Sequence, residues 1–349
     1  MIARRFLEAP VLVATDSFKG TLSAERVAAA VARGLRDGGR RAVELPVADG
    51  GEGTMEVLLG TLGGERRRVT VSDPLGRPVR ASYGLVDGGE TAIVEMAQAS
   101  GLGLVAEGER DAWAASTRGT GELIVAAVEA GARTVVVAVG GSATTDGGAD
   151  AVEAIQGARS ELVASSRVGF GTRRAGKATK EVALVVACDV RTSWEDAPRV
   201  FAPQKGADPA TVRRLERRLS ALARRAPRDP RGVPMTGAAG GLAGGLWAHF
   251  GARLVPGAPY VLDALRFDDA MRASRFVVTG EGRLDEQSLT GKVVGEIATR
   301  CRQSGVACHA IVGQNTLDEF LARLIDLSTI TEAGTTRRLR SAGRRLAEI

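Results

Sequence analysis

The stretch Thr134 to Gly148 reads TVVVAVGGSATTDGG, an apolar, β-branched run from Thr134 to Val139 that empties into a glycine-rich, hydroxyl-rich loop before a helix. The run reads as a buried strand. A loop between a strand and a helix presents its backbone N–H groups, and the positive end of the helix dipole, to an anion. A plain turn needs glycines but not the hydroxyls and carboxylate that Ser142, Thr144, Thr145 and Asp146 add. Gly140, Gly141, Ser142, Thr144, Thr145 and Asp146 are therefore candidate phosphate contacts.

The same grammar recurs on both sides of this stretch. Pro10 to Ala14 is an apolar run ending in Thr15-Asp16-Ser17-Phe18-Lys19-Gly20, and Ser23-Ala24-Glu25 caps a helix with Val27, Val31 and Leu35 at helical spacing. Gly38-Gly39 stops that helix, and Ala42 to Val47 reads as a second strand ending in Ala48-Asp49-Gly50-Gly51-Glu52-Gly53-Thr54. Such a βαβ unit implies parallel strands. Far down the chain come a strand Phe276 to Val278, the loop Thr279 to Asp285, a helix from about Gly291 to Gln303 and a strand Ala307 to Val312. Glu181 to Ala187 is one more strand, followed by Asp189. Acidic or glycine-rich loops thus follow strands at Asp16, Asp49, Gly140, Asp189 and Glu281, where α/β sheets place ligands.

Between these units the pattern changes. Arg67 to Glu95 alternates and carries turns at Asp73-Pro74-Leu75-Gly76 and Asp87-Gly88-Gly89, the signature of an antiparallel meander and of a second domain. Ala158 to Lys180 is poor in large apolar residues and reads as an exposed loop. Pro209 to Arg225 is an Arg-rich amphipathic helix, and the glycines of Gly237 to Gly245 are expected to let backbone approach a ligand.

Composition sets the limits. A chain of 349 residues fits two α/β domains or one enlarged one, with a cleft expected. The net charge of +6 is spread without a long block of one sign, and aromatics are only 4%, so stacking platforms for nucleic acid are missing. Cys188, Cys301 and Cys308 form no C-x-x-C pair, which suggests neither a disulfide framework nor structural zinc and points to the reducing cytoplasm. No apolar run approaches the ~18 residues of a membrane helix.

Several catalytic frameworks are absent. Gly291-Lys292 is followed by Val293 and has Glu286 where a Walker A loop needs glycine, and no G-x-G-x-x-G dinucleotide pattern occurs. His249 and His309 stand near no G-x-S-x-G elbow. Phosphoryl transfer instead requires cations over phosphates, carboxylates for Mg²⁺ and a group that orients the acceptor hydroxyl. Lys19 and Lys292, isolated lysines in an Arg-dominated chain, supply compact charges in two of these loops.

Together, Asp16 to Gly20, Ala48 to Thr54, Gly140 to Gly148 and Thr279 to Lys292 resemble the bacterial glycerate kinases of the type 1 family. Asp73 to Pro78, Glu95 to Gly101, Gly119 to Ile124 and Phe201 to Ala207 match as well, so the resemblance covers most of Val11 to Gln314. It implies ATP- and Mg²⁺-dependent phosphorylation of D-glycerate, with 2-phosphoglycerate favoured. It also implies a two-domain α/β fold: a Rossmann-like parallel-sheet domain from 1–70 plus 260–349, a mixed α/β domain inserted over 71–259, and the active site in the cleft between them. The matching positions make Asp16, Lys19, Asp189 and Lys292 catalytic, with Asp189 as the base, and Ser17, Asp49, Glu52 and Arg283 substrate-binding. Gly140 to Asp146 fall on the nucleotide, and Glu281 and Asp285 on metal. Partners are then D-glycerate and ATP, without nucleic acid or membrane, and a homodimer is compatible with the resemblance.

The chain departs from the family pattern over Asp150 to Lys180 and at Asp189-Val190-Arg191-Thr192-Ser193-Trp194. A second reading, a nucleotide- or hydroxyacid-binding homologue with impaired catalysis, therefore stays open. An NAD-dependent dehydrogenase ranks last, because no motif supports nicotinamide binding.

Overall fold

The computed structural model describes residues 9–164, 169–170, 181–289 and 292–349. The chain divides into two compact units: Met1–Asp49 with Gly257–Ile349, and Gly50–Pro256. The first unit opens with β1 (Val11–Thr15), α1 (Ala24–Asp37) and β2 (Ala42–Glu44), where β1 is buried throughout and pairs parallel with β2. Beyond Glu44, Leu45 and Val47 still donate backbone N–H groups to Val13 and Thr15, so the pairing runs as far as the sequence pattern suggested. Ser23 caps α1 by accepting from the Arg26 N–H at 3.4 Å, and Val27, Val31 and Leu35 turn its apolar face onto the sheet.

The second unit begins with α2 (Thr54–Leu62) and the antiparallel strands β3 (Glu65–Ser72), β4 (Pro78–Val86) and β5 (Thr91–Glu95). Met55 and Leu59 of α2 lie against Gly84 of β4, so residues 50–70 pack with the meander, and the unit boundary falls after Asp49, not after 70. After the short helix α3 (Ala97–Ser100), α4 (Arg118–Glu129) leads to β6 (Thr134–Ala138), which runs parallel to β5. Next come α5 (Ala149–Ala164), β7 (Gly169–Phe170) and β8 (Glu181–Cys188), the last pairing parallel with β6. α6 (Ala197–Phe201), α7 (Pro209–Arg225), α8 (Leu242–Phe250) and β9 (Arg253–Pro256), beside β8, complete a mixed sheet. The expected exposed loop over 158–180 is in part helical, since α5 continues to Ala164. Apart from Gly169–Phe170, its remainder lies outside the described residues. Trp194 is buried and donates its indole N–H to the Leu219 carbonyl of α7 at 3.0 Å, which anchors the chain after β8.

The glycines of 237–245 serve close packing within this unit. A Cβ at Gly240 would lie 2.0 Å from the Thr144 carbonyl oxygen, and one at Gly244 2.5 Å from the Trp194 ring. Their missing side chains let this segment touch the backbone of the Gly140–Gly148 loop.

The chain then returns to the first unit through α9 (Gly257–Ala264), α10 (Phe267–Arg272), β10 (Val277–Gly280), β11 (Arg283–Leu284), α11 (Val293–Ser304), β12 (Cys308–Val312), β13 (Gln314–Asn315), α12 (Glu319–Leu324), β14 (Thr329–Glu332) and α13 (Thr336–Leu346). Its sheet is all parallel, ordered β14-β12-β10-β1-β2. Counted along the chain this is the order 2-1-3-4-5 of doubly wound folds, with a switch of direction between β1 and β10. Val27, Val31, Leu339 and Leu346 cover one face, and Val294 and Ala298 the other.

α1 and α13 meet backbone to backbone. A Cβ at Gly34 would lie 2.0 Å from the Arg340 carbonyl oxygen, and one at Gly343 2.3 Å from that of Val31. Gly34→Ala therefore forces the helices apart and is expected to cost about 1–3 kcal/mol, read as a lower urea midpoint at unchanged m. An unchanged midpoint would refute this contact.

Candidate active site

The carboxyl ends of the first unit's strands converge on a cavity of about 410 Å³. Asp16, Ser17 and Lys19 reach it from the loop after β1, Glu281, Arg283 and Asp285 from the loop after β10, and Lys292 from the start of α11. Asp49 joins them beyond β2. The switch point between β1 and β10 splays their following loops apart, which is why a doubly wound sheet opens a cavity there.

Within it the carboxylates are crowded and poorly solvated. Asp16 accepts the Ser17 N–H at 2.6 Å, and burial, then the Asp49 charge, hold its carboxyl well above the ordinary range against the pull of Lys19. Lys19 Nζ pairs with Asp49 Oδ2 at 3.0 Å, a mostly exposed ammonium reaching a buried carboxylate. Lys292 Nζ stands 3.7 Å from Asp285 Oδ1. Burial pushes Glu281 up to about 7 against Ser288 and Lys292, and its Oε1 is buried without a hydrogen-bond partner. Clustered carboxylates that resist ionising are a donor set that a cation would relieve.

That set fits a shared cation only. Among the described residues no group of three or more His, Cys, Asp or Glu is spaced to hold a metal by itself. Mg²⁺ commonly takes one or two carboxylates and completes its shell with waters and phosphate oxygens, and Glu281 and Asp285 meet that requirement.

Glu281 also gives a stability test. Its carboxyl titrates near 7 when folded, against 4.5 ordinarily, so the folded protein holds an extra proton between those values and loses stability as pH rises through them. Without nucleotide or divalent cation, the Tm of the wild-type protein is expected to fall between pH 5 and pH 8. Glu281→Gln should remove that part of the slope and raise Tm at the alkaline end by several degrees. Parallel curves for the two proteins would show the carboxylate to be ordinary.

Glu52 lies in the second unit, although it stands three residues from Asp49. There it meets the glycine loop: a Cβ at Gly141, whose φ is +71°, would lie 2.1 Å from Glu52 Oε1, and one at Gly140 2.8 Å from Gly51 Cα. Ser142 Oγ accepts a hydrogen bond, while the buried Thr144 and Thr145 hydroxyls have no partner. Those orphaned hydroxyls, and glycines admitting no side chain, suit a loop shaped around an anion. Asp146 differs. Its Oδ2 accepts from the Thr117 N–H at 3.0 Å and hydroxyl at 2.6 Å, and its Oδ1 from the Gly148 N–H at 3.1 Å. Fully buried, it braces α4 against the loop rather than offering oxygens outward. Asp189 follows β8, also in the second unit.

The sequence reading passed over Lys205 as a site residue, although the chain has only five lysines and one stands in the matching stretch Phe201 to Ala207. It is buried, and Nζ donates to Ser142 Oγ at 2.7 Å and to the Thr144 carbonyl at 2.6 Å. Glu95 was passed over too: it is buried and receives the Met55 N–H at 2.8 Å, so that it caps α2.

A doubly wound parallel sheet with lysines and carboxylates gathered at its switch point is the plan of an α/β enzyme for anionic substrates. The sequence model of the glycerate kinase family matches residues 11–337. The chain is 38% identical to glycerate 2-kinase of Escherichia coli (strain K12), over 93% of this chain and 92% of that one. It is 38% identical to a glycerate kinase of Bacillus subtilis (strain 168), over 88% and 86%. A crystal structure of a candidate glycerate kinase 2 from Salmonella typhimurium LT2 superposes with a TM-score of 0.78 at 32% identity, covering 97% of each chain. The chain belongs to the glycerate kinase family and is a kinase.

Proposed function

We propose that this kinase transfers the γ-phosphoryl group of ATP to D-glycerate, with Mg²⁺. The observation that carries the reading is the cavity at the switch point, where two lysines and desolvated carboxylates share one small space. Relatives named as glycerate kinases support the acceptor, and the E. coli relative's description as a 2-kinase favours the 2-hydroxyl. Three buried, free thiols support a reducing cytoplasm.

In this mechanism Arg283, on the rim of the cavity, and Ser17 hold the glycerate carboxylate and hydroxyls. The acceptor oxygen forms its bond to the γ-phosphorus as the bond to the β–γ bridging oxygen breaks, ADP departs with that electron pair, and Asp16 takes the hydroxyl proton. A carboxyl held above its ordinary range is better matched to that task at neutral pH, and Asp16 lies in the cavity, so we assign it the role of base in preference to Asp189. Lys19 and Lys292 oppose the negative charge spread over the transferred oxygens. When bound, Mg²⁺ neutralises further phosphate charge, with Glu281 and Asp285 as its protein ligands. Ser142, Thr144 and Thr145 are assigned to the nucleotide phosphates.

A coupled assay for ADP release with ATP, Mg²⁺ and D- or L-glycerate tests this, with the product read by phosphorus NMR. Turnover on D-glycerate giving 2-phosphoglycerate is expected. A folded protein that binds ATP without turnover would support instead the impaired homologue suggested by the departures after Asp150.

A further inference from the structure

Lys205 heads the largest fully buried side chains of the described residues, and burying an ammonium is costly. Burial lowers its pKa to about 7, opposed by the charge of Asp146. A thioether of similar length would fill the space without that cost, so packing alone does not account for a lysine. The backbone around it is tightly set: the turn Pro203–Lys205 ends at Gly206, φ +91°, where a Cβ would lie 2.7 Å from the Arg110 carbonyl oxygen.

What the ammonium does is specified by its two bonds. They reach alternate residues of one loop, the Ser142 hydroxyl at 2.7 Å and the Thr144 carbonyl at 2.6 Å. Because Ser142 Oγ accepts from Lys205, its own hydrogen is left to donate elsewhere. Because the Thr144 carbonyl is pinned and the peptide is planar and trans, the Thr145 N–H must point the opposite way, off the far side of the loop. We propose that Lys205 is a positioning residue that holds the Ser142–Thr145 loop from behind in its phosphate-binding conformation and so sets the affinity for nucleotide. This rests on the assignment of that loop to the phosphates of ATP. Lys205 needs no contact with substrate to act in this way. Its removal leaves the Ser142 hydroxyl and the buried Thr144 carbonyl free to reorient the loop, and affinity is reduced by the share of time the loop spends misaligned.

The test is calorimetric titration of MgATP into the wild-type protein and Lys205→Met, with Tm recorded with and without MgATP, and KM for each substrate. Lys205→Met is expected to melt within a few degrees of the wild type, to bind MgATP about 10–100-fold more weakly, and to lose most of the nucleotide-induced rise in Tm. Its KM for D-glycerate should stay within about twofold of the wild-type value, a split that a merely structural lysine would not produce. If the Met variant fails to fold, Lys205→Gln, with an N–H donor on a shorter stem, carries the same comparison. MgATP affinity within twofold of wild type in the folded variant overturns the role of Lys205 alone. A wild-type protein that binds no MgATP overturns the assignment of the loop, and this proposal with it.

Discussion

Asp16→Ala is expected to lower kcat for D-glycerate by about 10²–10⁴-fold while leaving the fold intact, the range assigned to a lost general base. Asp16 follows the buried strand β1, and its carboxyl, desolvated beside Asp49, accepts the N–H of its neighbour Ser17. Removing a carboxylate that burial already disfavours should leave Tm unchanged or raise it. The measurement is steady-state kinetics on Asp16→Ala, Asp16→Asn and Asp189→Ala, with thermal unfolding alongside. If Asp189→Ala lost the activity and Asp16→Ala kept it within threefold, the base would be Asp189. The raised carboxyl of Asp16 also implies an acid limb in kcat/KM displaced upward from the ordinary carboxylate range, and Asp16→Asn should remove that limb.

Asp146→Asn should show the opposite pattern, a large loss of stability with kcat of the folded fraction kept within about tenfold. Asp146 accepts three hydrogen bonds in a fully buried setting, from the Thr117 N–H and hydroxyl and from the Gly148 N–H. The Thr117 hydroxyl in turn accepts the Ala151 N–H at 3.1 Å, so one carboxylate ties the starts of α4 and α5 together. An amide keeps one acceptor oxygen but turns its NH2 towards either the Thr117 or the Gly148 N–H, and leaving that buried N–H unpaired costs about 1–3 kcal/mol. For a unit of this size that is a fall in Tm of roughly 2–12 °C. A kcat lowered by orders of magnitude at unchanged Tm would mean that the carboxylate meets the ligand after all.

Much of the framework was legible because it is written locally. β1, β6, β10 and β12 are buried runs of Val, Ile and Ala, and each ends in glycines or acids that cannot continue it. The helix over Pro209–Arg225 was marked by its amphipathic spacing, and the structure adds its cap, Asp208, which accepts the Thr211 N–H at 2.7 Å. No expectation was formed for β14 and α13, whose Arg-rich residues hide an apolar face of Leu339, Ala342 and Leu346.

The sequence by itself determined the class of sheet, the recurrence of ligand-type loops at strand ends, and the motifs that carry the family. Only the tertiary structure decided which loops share a space and which way each side chain faces. Asp49 and Glu52 stand three residues apart yet belong to different units, because the chain leaves one sheet for the other between them. Asp146 turns inward to Thr117, twenty-nine positions away, and Lys205 reaches Ser142 across sixty-three. Apolar periodicity and turn chemistry act over a few residues, whereas burial and the pairing of polar groups depend on neighbours that only folding assembles.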